Sequence, residues 1–235
     1  MQGVKIPMEL PFTHKPGRRE RHLRRRHENP LFAWPPQEVP PEDLLAAQQA
    51  DHEEMETFAT DFRALVQKAV ELPPDAGSEV VLGFKEALER HYEQSFGLPE
   101  THTEERAAIH KLIALIMKAV KRAAGADPLA RQELADEEEA REIHFRLLEQ
   151  PLVADLLHPE SPIGPDELAP AVLSATLDEV AAVLQILDPE QCAELADQAI
   201  RLLEERAAQG VDVAAARRRL ALILAGLGVE DVPRH

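Results

Sequence analysis

From Glu42 onward, apolar residues return at steps of three and four, the period of a helix with one buried face. Met55, Phe58, Phe62, Leu65, Val66 and Ala69 make the first such stripe, and Leu72-Pro73-Pro74 ends it. A second helix is expected from about Ser78 to Phe96, with Val80, Val81, Phe84, Leu88 and Tyr92 inward, stopped by Gly97-Leu98-Pro99. A third opens on Thr101 and Glu104, spaced as a capping box, and carries Ile109, Leu112, Ile113, Ile116, Met117 and Val120 to Gly125. Asp127-Pro128 pairs a cap with a proline at the first helical position and opens a fourth, ending near Gln150.

The pattern then shortens. Pro151–Leu157 has room for two helical turns, and the run from His158 to Pro165 holds three prolines and a glycine, so it reads as a loop. Further helix starts follow at Pro165, at Thr176 and at Asp188-Pro189, and Val213 to Leu227 forms the last. Residues 42–150 are therefore expected to form an antiparallel four-helix bundle, 151–166 a connecting loop, and 167–235 a subdomain of shorter helices. Residues 1–41 hold eight of the nineteen prolines and no sustained period, which predicts an extended arm.

Composition strengthens the all-α assignment. Aromatic residues are only 4% of the chain while Ala and Leu dominate its apolar positions, a mixture that suits helices and disfavours sheets. The single cysteine, Cys192, excludes an internal disulfide and a cysteine-rich zinc site. The apolar run Leu112–Val120 is too short to cross a bilayer, and no secretory signal opens the chain, so a cytoplasmic location is expected.

Charge changes the picture most. The chain carries −17 overall, yet residues 1–30 hold eight bases and three acids, and the body beyond them carries −22. A basic arm on an acidic body points to an interaction protein. Clustered Arg24, Arg25 and Arg26, followed by Leu31, Phe32 and the sole tryptophan, Trp34, are the candidate partner-binding residues. The arginines would steer encounter, and the apolar side chains would bury against the partner. A protein partner is the first expectation. RNA or the ribosome is the alternative, since the same arginines can neutralise phosphates. The same charges also allow the arm to fold onto its own acidic body.

A third reading concerns metal. His52, His91, His110 and His144 fall one per bundle helix, at depths that allow a single layer, so a transition metal is conceivable there. None has the Glu three residues earlier that carboxylate-bridged di-iron bundles use. No phosphate loop, nucleophile elbow or His-Glu-x-x-His pair occurs, and Cys192, flanked by Glu190 and Glu194, is poorly placed as a nucleophile for His158. No catalytic residue or cofactor is assigned. Asp136–Glu139 reads as a solvated acidic face.

Overall fold

A computed structural model of the chain describes residues 16–71, 73, 78–98, 103–123, 128–161 and 163–227. All regular structure in these residues is helical: α1 (Arg18–Glu28), α2 (Pro41–Glu71), α3 (Ser78–Ser95), α4 (Thr103–Ala123), α5 (Pro128–Leu148), α6 (Pro151–Leu157), α7 (Pro165–Ser174), α8 (Leu177–Ile186), α9 (Pro189–Ala208) and α10 (Ala214–Gly226). The protein is all-α, as its composition and periodicity predict. No helix among the described residues is long and apolar enough to cross a membrane.

In the first half α2 packs on α3 and α3 on α4. Phe58, Phe84, Leu88, Tyr92, Ile109, Ile113, Met117, Phe145 and Leu148 are buried there. The α4 stripe is the cleanest match to the sequence, with Ile109, Ile113 and Met117 buried one turn apart and Leu112 and Ile116 packed against them. Val66 and Val80, expected inward, are exposed. Each lies on the shoulder of its stripe, beside Leu65 and Val81, and two helices in contact cover only the centre of each face. The Thr101–Glu104 box, the Asp127 cap and the Val120 side chain lie outside the described residues.

The second half is built from caps. Thr176 Oγ1 accepts from the Glu179 amide at 3.2 Å while Glu179 Oε2 accepts from the Thr176 amide at 2.9 Å. Asp188 and Gln191 repeat the arrangement at 2.8 and 3.0 Å, opening α9. Gly210 ends α9 in the left-handed region (φ 85°), where the Val211 amide reaches back to the Arg206 carbonyl at 3.0 Å.

Two segments differ from the sequence expectation. Residues 151–157, given room for two helical turns within a connecting loop, form the short helix α6, but it is no surface connection: it packs on both α5 and α8 and buries Leu152, Val153 and Ala154. The two halves therefore share one hydrophobic core. The arm is also not extended throughout. Arg18–Glu28 is helical and packs on α2, and the part of the arm before Pro16 lies outside the described residues.

Candidate interaction site

The sequence RRERHLRRRHE of α1 is rich in good helix formers, with Glu20 in the first turn and Arg25, Arg26 and His27 in the last, as the helix dipole prefers. Asn29-Pro30 ends it, because proline restricts the residue before it to extended backbone. Gly17 stands at the N-cap and has no side chain to satisfy the free amides. Asp51 of α2 caps the helix from outside instead: its Oδ1 accepts from the Arg19 amide at 3.2 Å and its Oδ2 from the Glu20 amide at 3.3 Å. A Cβ on Gly17 would lie 2.2 Å from Asp51 Oδ2, so the close approach that makes this cap needs glycine.

The side chains of α1 then enter a seat of carboxylates. Arg18, only 1% exposed, donates to the Glu160 carbonyl and pairs with Glu54 at 3.5 Å. Arg19 pairs with Glu54, with Asp51 at 3.5 Å and with Glu160 at 3.3 Å. Arg21 meets Asp155 of α6 at 2.6 Å and Arg25 lies 3.8 Å from the same carboxylate. His22 and Arg26 face Glu167 of α7 at 3.7 and 3.3 Å. Arg24 turns away and pairs along the helix with Glu20 (2.9 Å) and Glu28 (3.2 Å). Asp155 is fully buried, so its charge is compensated by α1 and not by water.

Beyond α1 the chain folds back. The Gln37 amide donates to the His27 carbonyl at 2.9 Å, and Asn29 holds Ser174 Oγ at 2.7 Å and caps the Leu31 amide at 2.8 Å. Leu31 is buried and Phe32 half-buried, both lining a cleft of about 370 Å³ with Ala169, Pro170, Leu202 and Arg206. Arg206 Nη2 donates to the Phe32 carbonyl at 3.3 Å. Trp34 remains 44% exposed, ahead of a cis bond to Pro35. The six candidate residues therefore divide. Arg25 faces its own body, Leu31 and Phe32 root the arm, and Arg24, Arg26 and Trp34 keep solvent-facing surface.

The four candidate metal ligands have separate surroundings. His52 is exposed beside Glu56 (3.5 Å), and His144 pairs with Glu93 (3.2 Å). His110 pairs with Glu142 (3.3 Å) and stacks on Tyr92. His91 is buried and stacks on Phe58, ring centroids 3.9 Å apart, and on Phe62 at 5.8 Å. Among the described residues no three or more of His, Cys, Asp and Glu gather as a metal site.

Cys192 and His158 lie apart, each with its own neighbours. Burial and the nearby Asp188 raise the Cys192 thiol, and its Sγ faces the Leu187 carbonyl. His158 Nε2 lies 3.2 Å from Glu54, and its Nδ1 accepts from the Glu160 amide at 3.1 Å. Both ring nitrogens are thus engaged. This histidine borders an open cleft of about 410 Å³ shared with Glu54, Phe58 and Leu98.

The electrostatics set a direction for pH. Burial would lift the Glu54 carboxyl, but the His158 hydrogen bond, the Arg18 charge and the bond and charge of Arg19 outweigh it, holding Glu54 at about 2 against its ordinary 4.5. Burial lowers His22 below its ordinary 6.5, with Arg25 and Arg26 adding to the effect and Glu167 and Asp155 opposing it. Burial lowers His91 too, against Asp61. Below about pH 6.5 the unfolded chain takes protons on these histidines that the folded chain does not, so their contribution is complete above that pH and declines beneath it. The Glu54 contribution is complete above pH 4.5 and is lost as pH falls toward about 2. Urea unfolding from about pH 7.5 down to about pH 3 is expected to show this two-stage decline, with His91→Phe removing part of the first stage. Stability that stays level from pH 7.5 to about 5 would contradict the burial of His22 and His91 as neutral rings.

The seat has no periodic signature in the sequence. One signal was available: Asp155 is a lone carboxylate inside Pro-Leu-Val-Ala-Asp-Leu-Leu, and an acid within an apolar helix needs a cation.

Compared with family models, curated proteins and solved structures, the chain matches none.

Proposed function

We propose that this chain is a non-enzymatic helical adaptor, acting in the cytoplasm, that engages a protein partner through its N-terminal arm. The observation that carries this reading is Trp34. A sole tryptophan held 44% exposed, on a turn whose Leu31 and Phe32 are rooted in the body, offers large apolar area at small entropic cost. Arg26, 62% exposed, and Arg24 lie at the end of α1, onto which this turn is closed by the Gln37–His27 bond. The exposed indole, next to a helix whose Arg24 and Arg26 keep exposed guanidinium surface on different sides, fits a partner surface with an apolar pocket edged by acidic side chains.

The test is a pull-down with tagged full-length protein beside Trp34→Ala and Arg24→Ala/Arg26→Ala, each with and without RNase, read by mass spectrometry. Trp34→Ala is expected to weaken capture of a defined protein partner by about 2 kcal/mol, roughly thirtyfold in Kd. The two arginine changes are expected chiefly to slow association and reduce its salt dependence. Trp34 is partly solvent-facing, so far-UV circular dichroism of Trp34→Ala is expected to be unchanged, whereas the arginine changes also remove the pairs with Glu20, Glu28 and Glu167 and are compared at matched helicity. A captured set identical for all proteins overturns the reading, and capture that RNase abolishes replaces it with nucleic-acid binding.

A further inference from the structure

Of the eleven side chains of α1, Leu23 alone is apolar. The helix is therefore held to the body by charge and not by hydrophobic burial. Its seat holds five acidic residues, Asp51 and Glu54 on α2, Asp155 on α6, Glu160 in the turn that follows, and Glu167 on α7. The pairing is incomplete: Arg18 Nε, Arg21 Nε, Arg25 Nη1 and Asp155 Oδ2 are buried without a hydrogen-bond partner among the described residues. Desolvation of buried ion pairs cancels much of their attraction, and groups left unbonded add to that cost. Charge pairing of this kind secures orientation more than strength. The short connection to α2 supplies the rest, because a tethered helix acts at an effective concentration on the order of millimolar.

We propose that this seat is a recognition site for an arginine-rich helix of a partner protein, and that α1 is its built-in, displaceable occupant. The chemistry of the ligand is read from α1 itself. Arg18, Arg21 and Arg25 lie three and seven residues apart on one helical face and meet Glu54 and Asp155. The helix must begin at a glycine, because a Cβ there would strike the Asp51 carboxylate that caps it. The recognised pattern is thus Gly-Arg-x-x-Arg-x-x-x-Arg at a helix N-terminus. Filling the seat from outside releases α1 and breaks the Gln37–His27 bond that closes the Trp34 turn onto it, while Leu31 and Phe32 stay rooted, so the two surfaces of the arm are coupled. The inference goes beyond the Trp34 reading and does not need it, since the carboxylates of the seat and not the indole receive the ligand.

The probe is a labelled peptide of residues 16–30, titrated at low salt into the full chain and into the full chain carrying R18E/R21E/R25E, whose α1 is repelled from the seat. The charge-reversed protein is expected to bind the peptide at one-to-one stoichiometry at least roughly tenfold more tightly than the wild type, because the tethered competitor is gone. A peptide with alanine in place of Gly17 is expected to bind the same protein at least roughly tenfold more weakly. Equal binding by the two proteins, or no binding by the charge-reversed protein with its helicity intact, overturns the proposal. Should that variant fail to fold, the wild type decides: saturating unlabelled peptide, which has no tryptophan, is expected to shift Trp34 emission, and unchanged emission overturns the proposal. The partner pull-down with Trp34→Ala reports on the other surface, so the two readings fail separately.

Discussion

Replacing Asp155 by alanine is expected to destabilise the protein by about 3–5 kcal/mol, a large share of the stability of a domain this size. The carboxylate is fully buried and lies against two cations, Arg21 at 2.6 Å and Arg25 at 3.8 Å. Its loss leaves both guanidinium groups, 22% and 18% exposed, facing a site with no counter-charge, so α1 either holds them there or lifts away, and either costs more than the pair itself contributes. The effect is expected to fall well below that range when Arg21→Ala and Arg25→Ala are added, since the stranded charges are then gone. Urea denaturation of the single and the triple variant beside the wild type measures it. A loss for Asp155→Ala of less than about 1 kcal/mol would mean that Asp155 is not buried against α1.

The second large effect is expected at Leu88, fully buried on α3 between the positions of Phe84 and Tyr92. Leu88→Ala is expected to lose about 2–5 kcal/mol by transfer and cavity terms together. Val66→Ala, on the exposed shoulder of α2, is expected to stay within about 0.5 kcal/mol. Denaturant midpoints read both. Similar losses at the two sites would contradict the separation of a buried stripe from its shoulder.

That pair of residues also shows how far the sequence carried. Periodicity places Leu88 and Val66 equally on apolar stripes, because a stripe gives the direction of the core and not the width that neighbouring helices cover. Where three consecutive turns align, as at Ile109, Ile113 and Met117, pattern and burial agree. Capping residues were legible for the same local reason. Thr176 with Glu179 and Asp188 with Gln191 form their boxes within four residues of chain, with no help from tertiary contacts.

Helix α1 was illegible because what holds it is not local. Its arginines have no apolar period, and proline density around them argues for extended chain. Its cap comes from Asp51, about thirty residues away, and its counter-charges come from Glu54, Asp155, Glu160 and Glu167. Net charge indicated that a basic arm and an acidic body would attract, without selecting which carboxylates would meet which arginines. Clustered charge and a lone tryptophan point to the candidate arm residues, and the structure separates those that anchor the arm from those it leaves in solvent. Arg25 belongs to the first group and Arg24 to the second, a division set by the 100° that separates neighbours on a helix.

Docking of α1 as a helix on the body is tested most directly by amide hydrogen exchange of the full chain at low salt. The expected result is protection of the amides of residues 22–28, each a full turn inside α1, well above that of an unstructured peptide, with that protection lost in Asp155→Ala while Ile109–Met117 stays protected. Exchange of residues 22–28 at the unstructured rate in the wild-type chain would contradict it, leaving the arm a free tail and the carboxylates of its seat without their partners.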